Sequence, residues 1–178
     1  MTVDELKALV RTIPDFPKPG ILFRDITSLI AHGAGLAATV DHLAANARAT
    51  GADVIAGIEA RGFIFGAAVA ARLGLGFVPV RKPGKLPVPV LAIDYALEYG
   101  TDTLEVDPGA VPDGARVVIV DDLIATGGTA VAALELLRQA GGHVHDALFV
   151  IDLPDLGGAD RLRQSEVSVT SLFDFPGH

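Results

Sequence analysis

Residues 117–129 read VVIVDDLIATGGT. Four apolar residues, three of them valine, run into two adjacent aspartates and then into a loop of small residues. β-Branched side chains favour a strand, and a strand that is apolar at successive positions is buried on both faces, as in a parallel sheet. The segment that follows, Thr129–Ala140, has helical spacing and stops at Gly141 and Gly142, which can adopt a left-handed cap. Strand, loop and helix in this order form the unit of a doubly wound α/β fold. Such folds bind ligands beyond the carboxyl ends of their strands.

The same alternation continues on either side. Short apolar runs at Val54–Ile58, Phe77–Val80 and Ala147–Ile151 predict further strands, and Leu36–Ala49 and Phe63–Leu73 have helical spacing. A turn at Pro112, Asp113 and Gly114 starts the chain into the strand at Val117. The reading is one α/β domain over residues 1–178, with a doubly wound, mainly parallel central sheet flanked by helices. Two regions interrupt the alternation. Residues 14–27, PDFPKPGILFRDIT, carry three prolines and a glycine ahead of an aromatic-basic-acidic triplet, which precludes a regular helix. Residues 81–103, RKPGKLPVPVLAIDYALEYGTDT, make a connector whose length marks it as a functional lid or binding loop.

Composition narrows the partners. With 178 residues, 50% hydrophobic, and a mean hydropathy of +0.45, the chain has enough apolar material for a real core. It has no cysteine, which excludes disulfides and thiolate chemistry and fits a reducing compartment. Asp4 and Glu5 stand where a secretory signal would carry positive charge, and the most apolar region, residues 54–80, is broken by Glu59, Arg61 and Arg72. The expectation is a soluble, cytoplasmic protein without a membrane span. A net charge of −8 and a pI near 4.9 disfavour nucleic acid as a partner, because that binding depends on Lys and Arg neutralising phosphates. An anion must therefore be held locally, by backbone amides, a helix terminus, a metal ion or a small basic cluster.

The opening stretch offers such a site. A run of amides in ATGGT at the start of a helix makes a concave anion cradle, and the hydroxyls of Thr126 and Thr129 add donors. No lysine follows the second glycine, so this is not a nucleoside-triphosphate loop and suits a single terminal phosphate. Carboxylates accept hydrogen bonds and vicinal hydroxyls donate them in pairs. Asp121 and Asp122, a few residues before the loop, therefore suit the ribose of a 5′-phosphorylated sugar, and they could help hold Mg2+ or a developing cationic carbon. The plainer alternative is that the two acids are a turn after a strand and TGG only a helix start. The histidines, His32, His42, His143, His145 and His178, show no metal-ligand spacing and read as surface or packing residues.

VVIVDDLIATGGT resembles the phosphoribosyl pyrophosphate motif of the type I phosphoribosyltransferases. FPKPGILFRDIT, IEARGFIFG, VRKPGKLP, LEYGTDTLEV and the terminal FPGH are similar, in the same order, to the adenine-using branch of that family over nearly the whole chain. The resemblance implies a hood or base-binding segment over residues 1–35 and a flexible catalytic loop over 81–103. It also implies Mg-dependent transfer of 5-phosphoribosyl from phosphoribosyl pyrophosphate to N9 of adenine, giving AMP and pyrophosphate. Ala125, Thr126, Gly127, Gly128 and Thr129 would hold the 5′-phosphate, with Asp121 and Asp122 on the ribose hydroxyls, directly or through Mg2+ and water.

The remaining roles follow from the same resemblance. Glu59, Ala60 and Arg61 match a pyrophosphate loop in which the bond from Glu59 to Ala60 corresponds to a cis peptide, and Arg61 offers a fixed cationic fork to phosphate oxygens. Without the resemblance, Glu59 and Arg61 also read as a surface ion pair. Leu22, Phe23 and Arg24 match the adenine pocket, with Phe23 stacking on the base. Glu98 matches the proton-handling carboxylate of the lid, beside Tyr99, and Arg61 joins Glu98 as a catalytic candidate. Arg81, Lys82 and Lys85 are the local cations for pyrophosphate, and Arg81 matches a residue that reaches a neighbouring subunit, which implies a homodimer. Phe173 or Phe175 is the candidate to close the base pocket. The alternatives are a phosphoribosyltransferase for hypoxanthine, guanine or xanthine, and a non-catalytic phosphoribosyl pyrophosphate sensor, although the chain has no basic domain for DNA.

Overall fold

The computed structural model describes residues 1–97 and 100–177. Its first element, α1 (Val3–Leu9), opens on a capping box in which the Glu5 N–H donates to Thr2 Oγ1 and the Thr2 N–H to the Glu5 carboxylate at 2.7 Å. A small antiparallel hairpin follows, β1 (Arg11–Pro14) with β2 (Leu22–Asp25). The prolines between its strands exclude a helix there, as the sequence predicts. Helices α2 (Thr27–Ala31) and α3 (Gly33–Thr50) lead to the first strand of the central sheet, β3 (Val54–Ile58). After it come α4 (Arg61–Leu73) and β4 (Gly76–Val80).

Residues 81–103 are more regular than the sequence suggests. They contain β5 (Leu91–Ala96), which pairs antiparallel with β6 (Thr101–Val106), and a bridge between Arg81 and Glu105 anchors the base of this excursion. The prolines lie ahead of β5, where none removes a ladder donor. The chain then enters β7, Arg116–Ile124 in full, followed by α5 (Gly128–Gln139), β8 (His143–Asp152), α6 (Gly158–Arg163) and β9 (Ser168–Asp174).

The central sheet is parallel throughout, in the order β4-β3-β7-β8-β9. β7 explains why. Val117 and Ile119 belong to the core on the α5 side, while Val118 and Val120 belong to the core under α3 and α4. Both faces are covered, so alternate residues are buried equally. β7 also runs further than its predicted end at Val120. Leu123 and Ile124 keep the ladder with Ile151 and Asp152 of β8, so Asp121 and Asp122 lie within the strand and not in a turn after it. None of the helices in the described residues is long and apolar enough to cross a membrane.

Candidate active site

The end of β7 and the first turn of α4 put two acids and one base in contact. The Asp122 N–H donates to Asp121 Oδ1 at 2.8 Å, and Arg61 Nε lies 2.8 Å from Asp122 Oδ2. Gly62 makes this approach possible, because a Cβ there would lie 2.6 Å from Asp121 Oδ1. Burial pushes both carboxyls up, Asp121 well above the usual range with the neighbouring Asp122 charge adding to it. At Asp122 the Arg61 guanidinium opposes the effect. The ion pair of Arg61 is thus with Asp122, and the surface pair with Glu59 does not form. The peptide bond from Glu59 to Ala60 is cis.

The loop after β7 is held from behind. Gly127 adopts φ 80°, a left-handed conformation that favours glycine, and leads into α5 at Gly128. A Cβ on Gly127 would lie 2.8 Å from the Gly158 carbonyl oxygen, and the Gly158 N–H donates to the Ala125 carbonyl at 2.9 Å. The start of α6 therefore seats the loop backbone to backbone. The N–H groups of the first turn of α5 have no partner within the helix and suit an anion.

Two cavities meet here. One, of about 310 Å3, runs from Glu59 and Arg61 past Asp121 and Asp122 to the loop at Ala125–Thr129. The other, of about 300 Å3, is walled mainly by Ile21, Leu22, Phe23, Leu153 and Leu156. Arg61, Leu123, Ala125 and Thr126 line both. One ligand with a phosphate at one end and a flat apolar group at the other would span them.

The comparisons with known proteins agree with this geometry. Residues 27–170 match the model of the phosphoribosyl transferase domain. The adenine phosphoribosyltransferase of Novosphingobium aromaticivorans is 73% identical over 178 residues, covering the whole of both chains. The chain belongs to the adenine phosphoribosyltransferase family. A crystal structure of the enzyme from Thermoanaerobacter pseudethanolicus, 48% identical, superposes with a TM-score of 0.92 over 98% of this chain and all of that one. That of Saccharomyces cerevisiae, complexed with an imino-altritol bisphosphate and adenine, is 39% identical with a TM-score of 0.90 over 96% of this chain and 97% of that one.

Asp121, Asp122, Arg61, Ala60 and the Ala125–Thr129 loop share the polar cavity. Glu59 reaches the same cavity, but its carboxylate accepts from the Lys82 N–H at 2.9 Å and from Arg81 Nε at 3.4 Å. Those contacts hold its carboxyl below the usual range, the Lys82 backbone bond most strongly. The Arg81 guanidinium also lies 5.9 Å from the Phe63 ring. The Lys82 ammonium is taken up by Asp102 and Tyr95, and Lys85 is exposed. Glu98, Tyr99 and His178 lie outside the described residues.

Leu22 and Phe23 line the apolar cavity, Phe23 meeting Phe16 edge to face at 5.2 Å. Arg24 borders it, yet its guanidinium points into the carboxyl-terminal segment. Phe173 and Phe175 do not line the cavity, contrary to expectation. Phe173 is 6% exposed in the core, and Phe175 lies 4.6 Å below the Arg24 guanidinium. The far wall is built by Leu153 and Leu156, which the sequence reading missed because an apolar pair after a strand carries no local signal.

It also missed Tyr95. Its hydroxyl sits 3.2 Å from Lys82 Nζ and from Asp102 Oδ2, and 3.4 Å from Thr129 Oγ1, so the β5–β6 hairpin touches the loop that follows β7. Asp102, three positions after the LEY of LEYGTD, was legible only as part of a motif.

Proposed function

We infer that the chain transfers the 5-phosphoribosyl group of phosphoribosyl pyrophosphate to N9 of adenine, giving AMP and pyrophosphate. The observation that carries this reading is the meeting of a polar and an apolar cavity at Arg61, Leu123, Ala125 and Thr126. The amide loop suits the 5′-phosphate that stays with the product, the two acids suit the ribose hydroxyls, and the Leu22–Phe23 and Leu153–Leu156 walls suit a planar base. The bond from C1 to the diphosphate oxygen breaks, the bond from C1 to N9 forms, and the N9 proton leaves. Positive charge develops on the sugar while both partners are held in line, so positioning and fixed charge do most of the catalysis. Arg61, at the first turn of α4, is oriented by Asp122 and available to the departing diphosphate. Glu98 is proposed as the acceptor of the N9 proton, on the resemblance of LEYG. Glu98→Gln should lower kcat with little change in KM for either substrate, and an unchanged kcat would remove it from that role.

Mg2+ belongs to the same proposal. Among the described residues no cluster of three acids or histidines could hold a metal alone. Mg2+ is commonly bound by one or two carboxylates together with substrate phosphates and water, and adjacent Asp121 and Asp122 fit that donor set. When bound it would neutralise the diphosphate. A homodimer is proposed as well, on the match of Arg81 to a residue that reaches a neighbouring subunit.

The deciding assay is AMP formation from adenine and phosphoribosyl pyrophosphate, with and without Mg2+, beside hypoxanthine, guanine and xanthine. Faster turnover on an oxo purine would reject adenine, and undiminished turnover without Mg2+ would reject the metal.

A further inference from the structure

The terminal FDFPGH has no part in the reaction above, yet residues 173–177 tie together both walls of the apolar cavity. On the hood side, Arg24 is 9% exposed and donates from Nη2 to the Pro176 carbonyl at 2.6 Å and from Nη1 to Thr12 Oγ1 at 2.6 Å. The Phe175 ring lies below its guanidinium, with Lys7 Nζ 5.0 Å from the same ring. On the opposite side, Asp155, beside cavity-lining Leu156, accepts from the Gly177 N–H at 2.7 Å, and the Phe175 N–H donates to the Asp152 carbonyl at 3.0 Å. Gly177 also packs towards Leu22 of the hood.

These ties matter because of how the hood is built. The β1–β2 hairpin is a separate two-stranded sheet with no ladder to the central one, and such a hairpin has little stability of its own. A buried guanidinium is costly unless its donors are satisfied. No carboxylate pairs with Arg24 among the described residues; the tail carbonyl and the Thr12 hydroxyl take up Nη2 and Nη1, while the buried Nε has no partner. The cation that seats the tail sits next to Phe23, and the acid that seats it sits next to Leu156.

We propose that residues 175–177 are a positioning strap that fixes the distance between the hood and the Leu153–Leu156 wall and thereby sets affinity for the purine base. The proposal rests on the base occupying this cavity, as argued above. The strap touches no reacting atom; it acts through Arg24 and Asp155 on the walls.

The test uses three full-length variants. Asp155→Ala removes the acceptor for Gly177, Asp155→Asn keeps one, and Phe175→Ala removes the ring under Arg24. Two readouts separate the base from the phosphate: KM for adenine against KM for phosphoribosyl pyrophosphate, and calorimetric binding of AMP against ribose 5-phosphate. Asp155→Ala and Phe175→Ala should each raise the adenine KM and weaken AMP by about five- to tenfold, the scale of one lost charge-assisted contact. Phosphoribosyl pyrophosphate KM, ribose 5-phosphate affinity and kcat should stay within about twofold. Asp155→Asn should behave as the parent. Unchanged adenine KM and AMP affinity would overturn the strap, as would equal losses for AMP and ribose 5-phosphate. Failure of the parent to make AMP would instead reject the reaction, and the ratio of the two binding constants would still judge the strap.

Discussion

At the scale of single residues, Asp121 is where folding and function pull apart. Its carboxylate is buried against Asp122, and Arg61, the nearby cation among the described residues, contacts Asp122 and not Asp121. Its folded pKa lies above its unfolded value, so between the two values the native state binds more protons than the unfolded chain. Stability therefore rises as pH falls through the folded pKa and is lower when the group is ionised. Asp121→Asn removes that charge and keeps an oxygen for the Asp122 N–H. Above the folded pKa, where the parent is ionised, we expect it to raise Tm by roughly 2–4 °C for each kcal/mol recovered. The gain should shrink as pH falls through the folded pKa and the parent takes up its proton. Its kcat/KM for phosphoribosyl pyrophosphate should fall by about tenfold or more, since an amide is a weaker acceptor for ribose hydroxyls. A lower Tm, or a Tm difference independent of pH, measured by calorimetry across that range, would contradict the assignment.

At the scale of elements, the loop proposed to hold the 5′-phosphate depends on a helix it does not adjoin in sequence. A Cβ on Gly158 would overlap the Ala125 carbonyl oxygen and lie 2.6 Å from the Gly127 nitrogen, both backbone atoms of the loop. Gly158→Ala should therefore push the loop out of place and raise KM for phosphoribosyl pyrophosphate by about tenfold or more, with a loss of roughly 1–3 kcal/mol in stability. Gly33→Ala is the control, because nothing lies within 4 Å of its Cβ position, and it should change neither quantity. Equal effects of the two substitutions would deny the seat. The contrast also explains what was legible in the sequence. The strand, acids and loop of β7 are consecutive, so periodicity and composition reveal them. The seat at Gly158, the Arg61–Asp122 pair and the facing of Leu22 and Phe23 by Leu153 and Leu156 across the apolar cavity join residues far apart in the chain, and no local pattern encodes them. β9 was missed because its polar positions alternate at a sheet edge, and α6 because six residues are too few for helical spacing to show.

At the scale of the whole molecule, an acidic chain must gather its few cations where anions bind. The carboxyl ends of β3 and β4 do so: Arg61 begins α4, and Arg81 and Lys82 follow β4. Within one chain Arg81 is held by Glu59 and lies over Phe63. If Arg81 completes the site of a neighbour, Arg81→Ala and Asp122→Asn should each be strongly impaired alone, and mixing them should restore activity. In a hybrid dimer one site joins the intact Asp122 of one protomer to the intact Arg81 of the other, while the second site lacks both. Random exchange of equal amounts makes half the dimers hybrid with one good site each, so activity should recover to about a quarter of the parent level. Recovery should follow the rate of subunit exchange, tracked by native mass spectrometry. Complete exchange without recovery would show that Arg81 serves only its own chain, through Glu59.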